Sequence, residues 1–210
     1  VINMPAGCKH TVFADTELKL LEVQLGRDIS VSDKVKHDFE PDTKCFGKGD
    51  IRGIYPTQVN EELAYRIGRY FKEVIKNDEM LNSGNNDGRG NSRLRVAVGH
   101  DIRLSGPSLK KALVKGLTES GCDVVDIGQC GTEMIYFATA HLKADGGIMV
   151  TASHNPKEYN GMKLVRRDAR PISADTGLKE IGEMVAASGD MPHQLVPGKK
   201  LGAVEKVDIV

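Results

Sequence analysis

Tryptophan is absent from the 210 residues, phenylalanine and tyrosine number five each, and no run of about 18 apolar residues occurs. The last absence leaves no stretch readable as a membrane-spanning helix. Neither sign of charge is in surplus: 29 Lys and Arg balance 29 Asp and Glu, for a formal net charge of zero. Nucleic acids and anionic membranes are held chiefly by a surplus of Lys and Arg on phosphates, so neither is expected as a partner. The opening Val1-Ile2-Asn3-Met4-Pro5 has no basic start followed by an apolar stretch, so no signal peptide is readable; a start on Val leaves open a processed or trimmed piece. Cysteine is scarce, and Cys8, Cys45, Cys122 and Cys130 are scattered without metal-like pairing. A core of this size needs no staple, so free thiols and a cytoplasmic setting are expected.

What is present reads as a globular chain. An apolar fraction of 40% excludes wholesale disorder, and the length suits one generous domain or one domain with attachments. Residues 1–42 read as an N-terminal extension, in which residues 18–25 form a short amphipathic stretch, either helix or strand. Asn60 before Glu61 and Glu62 predicts a helix start, and Leu63, Ile67, Phe71 and Val74 recur on one face until Asn77-Asp78. Residues 82–92 hold no apolar side chain and read as a mobile surface loop.

Strand and helix then alternate. A strand over 94–98 ends at Gly99; a helix opens at Pro107, carries Leu109, Ala112, Leu113 and Leu117 on one face, and stops at Gly121. A strand over 124–127 closes at Gly128, and a helix capped by Thr132 carries Met134, Ile135, Phe137, Ala138 and Leu142. The strand over 147–150 is apolar throughout, as for one buried on both faces. A strand over 162–165 and a helix over 175–187 follow. This is the pattern of right-handed crossovers in an α/β domain.

In such sheets ligands gather at the carboxyl ends of strands. The buried strand runs into Thr151-Ala152-Ser153-His154-Asn155-Pro156, a hydroxyl followed at once by an imidazole in a turn that Asn155-Pro156 forces off the strand. Gly161 is expected to let the chain tighten before strand 162–165 returns Lys163 to the same end. Nucleophile, proton acceptor and cation would then meet in one hairpin-like excursion. On the residues alone, a plain polar turn explains Ser153 equally well, and Lys163 is readable as a solvated strand lysine.

Thr151 through Lys163, TASHNPKEYNGMK, closely resembles the phosphoserine loop of the α-D-phosphohexomutases, in particular the phosphomannomutase/phosphoglucomutase branch. Four other stretches resemble the first domain of that family in the same order: Asp50 to Pro56, Asn60 to Tyr65, Val98 to Ser105 and Ala144 to Met149. The likeness covers roughly residues 43–210. It implies a three-layer α/β/α fold with a mixed, mainly parallel sheet, the family's domain 1 over 43–202, and the start of a link to a second domain over 203–210. This chain would be the first domain only, and inactive when isolated.

The resemblance also implies a chemistry. Ser153 would carry a phosphoryl group, lend it to a hexose 1-phosphate or 6-phosphate of mannose or glucose, and regain one from a bound hexose 1,6-bisphosphate. Arg52 would face the phosphoserine, Lys163 would act as general acid/base, and His154 would support the phosphoryl group or shuttle a proton. Arg52, Lys163, His154 and Asn155 would touch the substrate. Mg2+ would be held by the phosphate on Ser153, with its other ligands in a further domain of the same enzyme. Gly49, His100 and Glu133 depart from the family's usual aromatic, arginine and proline. Two other readings stand beside it: a sugar-phosphate-binding module that keeps the fold without turnover, and a small hydrolase using Ser153 and His154.

Overall fold

The computed structural model describes residues 41–76, 93–189 and 200–209. The chain divides into two units, Val1–His37 and Asp38–Val210, and all described residues belong to the second. The expectations for residues 18–25 and 82–92, and Cys8, lie outside the described residues.

Among the described residues six strands make one sheet: β1 (Ile51–Ile54), β2 (Arg95–His100), β3 (Asp123–Gln129), β4 (Gly146–Val150), β5 (Tyr159–Arg166) and β6 (Val204–Lys206). Their spatial order is β1-β5-β4-β2-β3-β6. β4, β2, β3 and β6 pair in parallel, whereas β5 runs antiparallel to both β4 and β1. The sheet is therefore mixed and mainly parallel. The helices are α1 (Glu61–Ile75), α2 (Gly106–Ser120), α3 (Thr132–His141) and α4 (Leu178–Ala187).

Two apolar clusters show why three layers form. Ile51, Val96, Val98, Ile148, Val150, Met162 and Leu164 share one core with α1, α2 and α4. The alternate strand positions Ala97, Val125, Ile127 and Met149 pack with Ile135 and Ala138 of α3 on the other face. Side chains alternate across a strand, so β2, β3 and β4 each feed both cores. β4 is buried along its whole length, as its unbroken apolar run requires.

The local signals mostly act as expected. Asn60 caps α1 by accepting from the Leu63 N–H at 3.0 Å, with Glu61 and Glu62 at the positive end of the dipole. Pro107 lies in the first turn of α2, and Gly121 ends it at φ 91, a left-handed value that glycine adopts at little cost. Four details differ, besides β2 running on through Gly99 to His100 and β3 through Gly128 to Gln129. Gly131, not Thr132, occupies the cap of α3, and Thr132 is its first helical residue. Phe137 is 55% exposed and stacks on His141 instead of entering the core, because it sits on the helix side away from the sheet. The last helix is split: a 3-10 turn over Ala174–Thr176 precedes α4, and Gly177 between them has φ 129. β5 begins three residues before the expected start, because it pairs on both edges.

Cys45, Cys122 and Cys130 are free thiols. Burial first, and then the Asp42 charge, push the Cys45 thiol from 9.0 up to about 12; burial raises Cys130 to about 11. In the unfolded chain these thiols lose their protons at lower pH than in the folded one. Their contribution to stability is therefore complete below pH 9.0 and is lost as pH climbs from there toward 12. Urea midpoints measured across that window should fall with pH, and a Cys45→Ala, Cys130→Ala double variant should fall less steeply; an equal slope would mean that the thiols do not set this pH dependence.

Candidate active site

The site is assembled by strand register. Pairing sets Met149 opposite Lys163 on β4 and β5, and Arg52 opposite Gly161 on β1 and β5. Ile51, Met162 and Leu164 point into the first core, so their neighbours Arg52 and Lys163 stand on the face that Met149 shares with α3. Asp50 joins them: its Oδ2 is 2.5 Å from Arg52 Nη2 and 3.5 Å from Lys163 Nζ. Guanidinium and ammonium thus share one carboxylate, with all three side chains half-buried.

The serine loop leaves β4 at Thr151. Arg52 Nη1 donates to the Ala152 carbonyl at 2.7 Å and to Asn155 Oδ1 at 2.5 Å, which ties the first strand to the loop. Ser153 is exposed and has φ 52, a backbone shape that side chains with a Cβ rarely adopt. Its Oγ lies 3.4 Å from His154 Nδ1. The structure therefore brings Arg52 and Lys163 together around Asp50, with Asn155 held by Arg52 and with Ser153 and His154 on the loop that Arg52 pins. The Asn155 side-chain oxygen is engaged by Arg52.

Gly161 does not tighten a turn. It lies inside β5, where a Cβ would come within 1.9 Å of the Ile51 carbonyl oxygen, so its small size lets β1 close on β5 and carry Arg52 inward.

Four residues of this site were not singled out from the sequence: Asp50, Asp101, Thr151 and Arg103. Arg103 Nη1 donates to the carbonyls of Pro156 and Tyr159 at 2.7 and 2.9 Å; its Nη2 donates to those of Ser153 and Asn155 at 2.9 and 2.7 Å. Thr151 Oγ1 donates to Asp101 Oδ2 at 2.6 Å and accepts from the Ser153 N–H at 2.8 Å. The signal for Asp101 and Arg103 was their place in the Val98–Ser105 stretch at the carboxyl end of β2, beside β4. His100, a departure from the family pattern, is buried with Nδ1 2.7 Å from the Asp101 carbonyl; that nitrogen is the donor and steadies the same turn. The phenol of Tyr136 on α3 is pushed up, first by burial and then by the Asp50 charge.

Among the described residues no group of three or more His, Cys, Asp or Glu side chains is arranged to hold a metal ion. A phosphoryl group on Ser153 would offer one oxygen, and a six-oxygen magnesium shell does not assemble from these residues. Among the same residues no helix is long and apolar enough to cross a membrane.

Fold and site define a three-layer α/β/α domain that presents a serine hydroxyl at the end of a buried strand, with one cation on the next strand, β5, and a second on β1 beyond it. The family model described as phosphoglucomutase/phosphomannomutase, alpha/beta/alpha domain I, matches residues 43–190. A phosphomannomutase of Salmonella typhimurium is 51% identical over 148 residues, covering 70% of this chain and 29% of that protein. One from Klebsiella pneumoniae is 52% identical over 166 residues, covering 79% of this chain and 94% of that sequence. A solved phosphoglucomutase/phosphomannomutase family protein from Burkholderia thailandensis is 32% identical with a TM-score of 0.63, covering 80% of this chain and 34% of that one. The chain belongs to the phosphoglucomutase/phosphomannomutase family, as its domain I.

Proposed function

We propose that these residues are the phosphoryl-carrying part of a phosphohexomutase, with Ser153 as carrier and a mannose or glucose phosphate as substrate. The observation that carries the reading is the convergence of Arg52 and Lys163 on Asp50, beside a loop that exposes the Ser153 hydroxyl in left-handed backbone. A phosphoserine brings roughly −1.5 to −2 charges at neutral pH. Two cations within reach of one carboxylate are suited to receive that charge once the group is in place.

In each half-reaction one P–O bond breaks and one forms. With Ser153 phosphorylated, a sugar hydroxyl attacks phosphorus, the bond to Oγ breaks, and a bisphosphorylated hexose results; the hydroxyl's proton leaves and a proton returns to Oγ. His154, 3.4 Å from Oγ, is assigned the exchange of that proton, and Lys163 the sugar hydroxyl's, which it takes as the neutral amine and thereby becomes a cation beside the transferred group. The reverse step takes the other phosphoryl group back from the reoriented sugar. Positioning and charge neutralisation supply most of the rate. Magnesium, implied by the family, is given no step, since the described residues do not build its shell.

The matched residues span 29% of the length of the Salmonella relative, so turnover is assigned to the protein that contains these residues. The test is phosphoryl uptake. After incubation with glucose 1,6-bisphosphate, the protein should gain the mass of one phosphoryl group, mapped to Ser153. Uptake without isomerisation would support a module that keeps the fold without turnover, and no uptake at all would remove the carrier role.

A further inference from the structure

The Ser153 backbone conformation is costly, so something must hold it. We propose that Asp101, Thr151 and Arg103 are positioning residues that lock the serine loop, and so decide how Ser153 presents its Oγ; the consequence for phosphoryl transfer rests on the carrier reading.

The lock has two halves. One is a directed relay. Thr151 has a single O–H, and it goes to Asp101 Oδ2 at 2.6 Å, so its lone pairs face the Ser153 N–H at 2.8 Å. The Arg103 backbone N–H on Asp101 Oδ1 at 3.0 Å, with Arg103 Nε 3.4 Å from Oδ2, holds the carboxyl group that receives this O–H in place. The other half is a clamp: one guanidinium donating to four carbonyls between Ser153 and Tyr159, a geometry that the planar fork of arginine reaches and a single ammonium does not.

The lock also decides what a phosphoryl group on Oγ can bind. The Ser153 amide is taken up by Thr151, and the Asn155 amide donates to the Ala152 carbonyl at 3.0 Å. Neither of these two amides is left for a phosphate cradle, so beside the His154 amide the phosphoryl oxygens draw their positive partners from side chains. That makes Arg52, His154 and Lys163 the neutralising set.

The test compares Thr151→Ser, which keeps the hydroxyl, with the near-isosteric Thr151→Val, and adds Arg103→Lys. Amide exchange of Ser153 and Asn155 is measured by NMR on the 210-residue chain. Phosphoryl uptake from glucose 1,6-bisphosphate is measured by intact mass on the complete protein that carries these residues. Thr151→Ser should match the parent. Thr151→Val and Arg103→Lys should exchange those amides at least about tenfold faster and lower the maximal uptake rate about 100-fold, with half-saturation within about threefold. Parent-like exchange and maximal rate in both variants overturn the lock. If the parent protein takes up no phosphoryl group, the carrier reading fails, and exchange alone decides the lock: faster in Thr151→Val than in Thr151→Ser supports it, equal rates sink it. Should Thr151→Val fail to fold, Arg103→Lys decides by the same two readouts.

Discussion

Ser153→Ala is expected to abolish phosphoryl uptake and to lower hexose phosphate turnover by more than about 10⁴-fold, because it removes the atom that carries the group. The fold should not notice. Ser153 is exposed, its Oγ makes no contact closer than 3.4 Å to His154, and alanine keeps the Cβ, so it bears the same backbone cost at φ 52. The urea midpoint should therefore stay within about 0.5 kcal/mol of the parent. Lost activity with unchanged stability assigns the effect to chemistry. Turnover within about threefold of the parent would mean that the phosphoryl group never rests on this serine. Ser153→Gly sharpens the comparison: it removes the same oxygen and relieves the left-handed strain, so it should be equally inactive while no less stable than Ser153→Ala.

How much of this was legible beforehand depends on the range over which each residue acts. Asn60, Leu63, Ile67 and Phe71 signal a helix through spacings of three and four, and α1 follows them closely. The uninterrupted apolar run at 147–150 signals burial on both faces, and β4 is buried throughout. Ser153, His154 and Lys163 were singled out from the end of the buried strand and the strand that returns beside it, and Arg52 because its stretch resembles a family. The geometry places the two cations on one face, which periodicity alone did not require. Arg103 was missed as a site residue because its partners are carbonyls 50 to 56 residues away, and carbonyls leave no trace in side-chain pattern. Asp50 was missed for a related reason: its tie to Lys163 exists only because β1 pairs with β5, about 110 residues later. Gly161 was misread as a point where the chain tightens ahead of the strand, since a glycine inside a strand signals either a bend or a close neighbour, and only the pairing of β1 shows which.

That close neighbour makes Gly161→Ala the most damaging small substitution expected near the site. The added Cβ would stand 1.9 Å from the Ile51 carbonyl oxygen and 3.1 Å from the Arg52 Cα. Both are backbone atoms, so relief requires β1 to move away from β5. Overpacking of this kind costs about 3 kcal/mol, a large share of the roughly 5–15 kcal/mol that holds a typical domain together. The urea midpoint should drop at unchanged slope. Because Arg52 rides on β1 and reaches the serine loop through Ala152 and Asn155, the surviving folded protein should also take up phosphoryl groups more slowly. Gly49→Ala is the matched comparison: it lies next to Asp50, a Cβ there meets nothing within 4 Å, and its stability should stay within about 0.5 kcal/mol. Parent-like stability in Gly161→Ala would mean that β1 is not pressed against β5. A destabilised Gly161→Ala protein that took up phosphoryl groups at the parent rate would show instead that transfer does not depend on where β1 holds Arg52, and the neutralising set would shrink to His154 and Lys163.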